Sequence, residues 1–91
     1  MRLDKFLKLS RIVRRRTLAA EMVEVGAVRL NGRAVKPSAV VRDGDRIEIA
    51  FPRRLLAVEV LTVDERAVKR GEKSFDIAQD KALGDEEKPW K

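Results

Sequence analysis

Arg2, Lys5, Lys8, Arg11, Arg14, Arg15 and Arg16 set seven cations against one carboxylate, Asp4, in the sixteen positions from Arg2 to Thr17. Side chains of this type and density suit phosphate. Each ammonium or guanidinium that neutralises a nucleic-acid phosphate releases condensed counterions, so log K falls with log[salt] by about 0.7–0.9 per contact. The same charges also suit a plainer role, keeping the outer face of two helices in water. The residues by themselves leave both readings open, but two features bring phosphate binding level with solubility. The triplet Arg14-Arg15-Arg16 sits where a helix begins, against a macrodipole that favours acids there by about 0.3–1 kcal/mol; a bound phosphate reverses that preference. The charge is also lopsided: residues 1–54 hold 14 Lys+Arg and 6 Asp+Glu, a net of +8, and residues 55–91 hold 7 and 9, a net of −2.

Other chemistry is poorly supplied. The chain contains no histidine, cysteine or tyrosine, so the usual acid–base and nucleophilic groups and the usual zinc ligands are missing. Ser10, Ser38 and Ser74 have no base beside them in sequence, and no glycine-rich phosphate loop is present. We therefore expect no enzyme, no metal and no cofactor. No apolar run reaches the roughly 18 residues of a membrane span, and the first residues lack the apolar core of a secretory signal. The expected location is the cytoplasm, with no membrane partner.

The elements that must position the cations follow from periodicity. Leu3, Phe6 and Leu7 share one helical arc while Asp4, Lys5, Lys8 and Arg11 occupy the other, which predicts a helix over residues 2–9. Leu18, Ala19, Met22 and Val23 predict a second over 16–25, stopped by Gly26. After Gly26 the period becomes 2. Val28 and Leu30 alternate with Arg29, and Asn31-Gly32 offers the two positive-φ positions of a tight hairpin leading to Arg33-Ala34-Val35. Asp43-Gly44-Asp45 predicts another turn, followed by strands carrying Ile47, Ile49 and Phe51 and then Leu56, Val58 and Val60. Phe6 and Phe51, in phase with aliphatic neighbours, read as core.

From Thr62 onward half of the thirty residues are charged, and the expectation is weak order. Asp64–Arg70 has the composition for two helical turns stopped by Gly71, and Phe75-Asp76-Ile77 for a brief strand. Asp85-Glu86-Glu87 reads as a solvated tail, and Trp90 as part of a poorly ordered end rather than a base-stacking platform. At 91 residues the chain has room for one compact domain, placed here at residues 1–61 with a charged extension over 62–91.

The order of these pieces carries a resemblance. RLDKFL at 2–7, Arg16 followed by Ala19, Met22-Val23 and Gly26, V-x-L-N-G at 28–32 and V-x-x-G-D-x-I at 41–47 together resemble the S4-type RNA-binding domain. The resemblance implies an α+β fold in which two N-terminal helices pack on a small, twisted, mainly antiparallel sheet and present their face to structured RNA. Carried over by position, it implies RNA contacts from Arg2, Asp4, Lys5 and Arg16, with Asn31 and Gly32 shaping the hairpin and Asp4 pairing with an arginine. The wider basic set adds Lys8, Arg11, Arg14 and Arg15. Many such domains carry Ser or Thr where Arg15 stands, so a helix cap worth about 0.5–2 kcal/mol is given up for a cation.

RRRTLA at 14–19, a chain under 100 residues and no appended catalytic domain are similar to the stand-alone RqcP group of bacterial ribosome-associated quality control. That likeness implies a factor of the large ribosomal subunit, binding rRNA and peptidyl-site tRNA on stalled, split ribosomes. It also implies an RqcH-type tailing factor as partner in alanine tailing, and a monomer off the ribosome. The alternatives are the related fifteen-kilodalton heat-shock protein group, a ribosome assembly factor, or a protein-interaction module using the sheet edge or the tail.

Overall fold

Leu3, Phe6 and Leu7 are completely buried, and the helix that carries them, α1 (Leu3–Leu9), is the first element of the computed structural model, which describes residues 1–90. Next comes α2 (Arg16–Glu24), ended by Gly26 at φ +81°. Strands β1 (Val28–Leu30), β2 (Arg33–Ala34), β3 (Arg46–Phe51) and β4 (Arg54–Val60) lead to α3 (Glu65–Lys69) and β5 (Phe75–Ala82). All pairings are antiparallel, in the order β2-β1-β3-β4-β5. This is the α+β architecture expected, with the helical turns and the strand for which the charged extension has the composition formed as α3 and β5.

One face of the sheet meets the helices. Val28, Ile47, Ile49, Leu56, Val58 and Val60 join Leu3, Phe6, Leu7, Ala19 and Val23 in the core, with Met22 and Phe51 at its margin. The first residues are fastened to the middle of the chain: the Leu3 amide donates to Ala39 O and the Val41 amide to Met1 O, both at 2.8 Å. Arg2 forms an isolated bridge with Val40. The start of α1 is therefore fixed, not frayed.

Several expectations need correction. Leu18 stands in the predicted apolar stripe of α2 but is exposed; the buried stripe is centred on Ala19 and Val23, and Leu18 lies at its edge. The brief strand at Phe75–Ile77 continues to Ala82, because β4 offers it a full ladder from Val60↔Phe75 to Arg54↔Ala82, with an irregularity at Ala57/Val58. Arg54 reinforces that ladder, donating to Asp80 at 2.7 and 3.0 Å; the Asp80 carboxylate holds its guanidinium above the ordinary pKa. The weak order expected over 62–91 thus gives way to α3 and β5, and Lys91 lies outside the described residues.

Trp90 is half-buried rather than loose: the Arg29 guanidinium lies 4.5 Å from its ring centroid. Arg29 is in register with Glu48, and Glu48 with Ala57, so this contact sits on the sheet face opposite the helices. Buried Leu55 and Ala57 alternate onto that same face.

Candidate nucleic-acid interface

Asp4 organises the basic helical face. It is the one acidic residue in the first turn of α1 and is 4% exposed. Its carboxylate accepts from Arg2 Nε and Nη2, both at 3.2 Å, and from the Lys5 amide at 2.8 Å. Arg16, at the start of α2, approaches the same carboxylate at 3.5 Å. The side chains of Arg2 and Arg16 are about half exposed, at 52% and 46%, while that of Asp4 is 6% exposed. One buried anion therefore holds two half-exposed arginines, one at the start of each helix, side by side. A planar guanidinium with free N–H groups is suited to bidentate phosphate contact.

Helix α2 begins without a side-chain cap, since Arg15 occupies the N-cap position in extended conformation and makes no capping bond. Its first N–H groups, without a side-chain cap, lie at the Arg14–Arg16 end of the helix, which adds to the attraction for an anion there. Arg14 and Arg15, both exposed, edge a shallow hollow with Thr17, Leu18 and Glu21.

Lys5 lies on the same rim but is already engaged. Its ammonium pairs with Glu65 of α3, whose other carboxylate oxygen holds Lys69 at 3.3 Å. Lys5, then Lys69, hold the Glu65 carboxyl below its ordinary pKa. Met1, Arg2, Lys5, Arg16, Val63 and Glu65 together line a second open hollow. Asp64 caps α3 by accepting from the Arg66 amide at 3.3 Å, and the preceding linker is held where the Val63 amide donates to Asp43 at 3.0 Å.

The other sequence-derived candidates are distributed differently. Lys8 is exposed on α1. Arg11 adopts a left-handed backbone, φ +67°, and its guanidinium reaches toward Gly71, to within 3.8 Å of where a β-carbon would stand. It borders a hollow of Leu9, Ser10, Val68, Lys73 and Phe75 instead of the Asp4 cluster. Asn31 and Gly32 take φ +51° and +80°, the predicted hairpin geometry. The Asn31 side chain is spent on the neighbouring turn, donating to Asp45 at 3.1 Å and accepting from the Arg46 amide at 2.9 Å. These two residues shape the sheet and do not join the cationic cluster.

Sequence reasoning missed Glu65. Its helix is visible as a short capped stretch, but its position beside Lys5 depends on α3 docking against α1 across sixty residues of chain, and no local pattern reports that. Among the described residues, no group of three or more His, Cys, Asp and Glu is placed to hold a metal, and no helix is long and apolar enough to cross a membrane.

Two helices bearing an anion-anchored arginine pair, packed on an antiparallel sheet, are the arrangement expected of an S4 domain. The S4 domain family model matches residues 1–47, and the chain belongs to that family. Within it, the chain is similar to proteins named RQC P-site tRNA stabilizing factor. It is 48% identical to the one from Halalkalibacterium halodurans over 69 residues, 76% of this chain and 78% of that protein. It is 37% identical to the one from Bacillus subtilis over 86 residues, 93% of this chain and all of that protein. Among solved structures, trimeric Heat Shock Protein 15 of Vibrio cholerae superposes with a TM-score of 0.76 at 29% identity, covering 86% of this chain and 81% of that one.

Proposed function

We propose that this protein is a non-enzymatic, cytoplasmic RNA-binding factor of the large ribosomal subunit. In this reading it steadies tRNA in the peptidyl site of stalled, split ribosomes while contacting rRNA, and so supports alanine tailing of the stalled peptide by an RqcH-type partner. The observation that carries the reading is the Arg2–Asp4–Arg16 cluster: two half-exposed arginines on one buried carboxylate, in a chain whose relatives are named for stabilising P-site tRNA. Phosphate contacts of this kind position a protein on RNA by shape and charge and do not read bases. Residues 1–61 supply the RNA face, residues 62–91 form an extension fastened to it, and the protein acts as a monomer off the ribosome.

The heat-shock-type reading, rescue of large subunits carrying nascent chains, draws on the structural likeness to Heat Shock Protein 15. The names of the more similar sequence relatives favour quality control.

Arg16→Ala tests the RNA face. Arg16 is half exposed and Asp4 keeps Arg2 and the Lys5 amide without it, so folding changes by less than about 1 kcal/mol. Affinity for tRNA should fall about 10-fold or more, as for one charge-assisted hydrogen bond of about 1.5–3 kcal/mol, and the salt slope by about 0.7–0.9. Unchanged affinity and slope would sink the reading.

A further inference from the structure

Two acids pair with Arg2, Lys5 and Arg16, and they differ in what they leave for RNA. Asp4 is buried and its oxygens are taken up by Arg2, Arg16 and the Lys5 amide, so it fixes two arginines and leaves no exposed carboxylate in the path of a phosphate. Glu65 is different: its side chain is 44% exposed, it comes from α3 outside the two-helix unit, and it borders the hollow formed with Arg2, Lys5 and Arg16. Its carboxylate joins the ammoniums of Lys5 and Lys69, reducing a local charge of +2 to +1. A phosphate approaching Lys5 meets an ammonium that already has its counter-ion, with a carboxylate at the place an RNA oxygen would take.

We propose that Glu65 is an affinity-limiting residue of this face, an internal counter-ion on Lys5 that RNA phosphate must displace. The proposal rests on the reading that the Arg2, Lys5 and Arg16 face binds RNA. Its consequence is discrimination. A generic polyanion gains binding energy mainly from the number of cations it neutralises, and Glu65 removes one from that number. RNA of the right shape still engages Arg2 and Arg16, which Asp4 holds in place whether or not Lys5 is free. The extension therefore tunes the RNA face without touching the arginine pair. The same displacement would break the Lys5–Glu65 pair, a tie between α1 and α3, and leave Glu65 paired with Lys69 within α3.

The test compares Glu65→Gln, Glu65→Asp, Arg16→Ala and the unaltered chain, each confirmed folded by circular dichroism, for binding to a single-stranded uridine oligonucleotide and to a tRNA transcript across a salt series. Glu65→Gln should bind the oligonucleotide about 1.5- to fivefold tighter at low salt, with a slope steeper by about 0.7–0.9, and gain less on tRNA. Glu65→Asp, which keeps the charge, should stay near the unaltered protein in slope. Glu65→Gln binding with the same or lower affinity and slope, while Arg16→Ala loses affinity, would overturn this proposal and leave the RNA face standing. If Arg16→Ala also binds as before, both the proposal and the reading beneath it fail.

Discussion

Replacing Asp4 by asparagine sets two effects of opposite sign against each other, and the structure decides between them. The carboxylate accepts three hydrogen bonds, two from Arg2 and one from the Lys5 amide, and pairs with Arg16. Asparagine has the same size and keeps one carbonyl oxygen, which can still accept from the Lys5 amide and Arg2 Nε, but its NH2 can only donate and it carries no charge. The NH2 faces Arg2 Nη2, a second donor, and Arg16 loses the charge it pairs with, so both guanidiniums are loosened. Ordering a freed, rotamer-rich side chain on RNA costs about 0.5–1.5 kcal/mol, so about 1–3 kcal/mol for the pair, or roughly 5- to 150-fold in Kd. The added positive charge works the other way, by the 0.2–1 kcal/mol or so typical of exposed charges. Loss of positioning wins, and Asp4→Asn should bind tRNA more weakly although it is more basic. It should also lower stability by about 1.5–3 kcal/mol through the lost charge-assisted bonds, which at about 4–8 °C per kcal/mol is visible in a melting curve. The assay is fluorescence anisotropy with labelled tRNA well below the melting point, repeated at several salt concentrations. A folded Asp4→Asn protein that binds as tightly as the unaltered chain, or tighter, would show Asp4 to be a mere counter-charge and refute the positioning argument.

Three further outcomes follow from the geometry. Gly32→Ala meets no atom within 4 Å but must hold φ +80°, so it should cost about 1–2 kcal/mol in chemical denaturation while the folded fraction binds RNA normally; a large loss of RNA affinity would place the hairpin in the interface. Trp90→Ala removes the Arg29 stack and should cost about 0.5–2 kcal/mol with RNA affinity unchanged, since the contact lies on the opposite sheet face. Glu65 has its folded pKa held down by Lys5 and Lys69; its contribution is therefore complete above the ordinary glutamate pKa and is lost as the pH falls through the depressed value. Melting followed from neutral pH into acid should show the gap between the unaltered chain and Glu65→Gln closing only below the ordinary glutamate range, and a gap that closes near neutrality would contradict the pairing.

What could be read in advance was local. The arcs of Leu3, Phe6 and Leu7 and of Ala19 and Val23, the stop at Gly26 and the Asn31-Gly32 hairpin each lie within a few neighbouring residues, and α1, α2 and β1 to β4 form within a residue or two of the expected bounds. The sequence predicts β5 only as a fragment because FDIAQDKA is mostly exposed along its length; the hydrogen-bond ladder of β4, not an apolar face of its own, holds it. Trp90 gives no local signal for a similar reason, since its partner is Arg29, sixty-one positions earlier. At the site, the basic residues were plain from composition, but their grouping was not. Arg11 has the charge to join Arg2 and Arg16, yet its left-handed backbone turns it toward Gly71. Glu65 entered the face only through the docking of α3.

The most direct test of the central claim is sedimentation of the purified protein with large ribosomal subunits that carry or lack tRNA in the peptidyl site, beside an Arg2→Ala/Arg16→Ala variant. The account predicts that the unaltered chain travels with the tRNA-carrying subunits, less with empty ones, and that the variant stays at the top of the gradient. The unaltered chain staying at the top at low salt, or the variant travelling equally well, would contradict it.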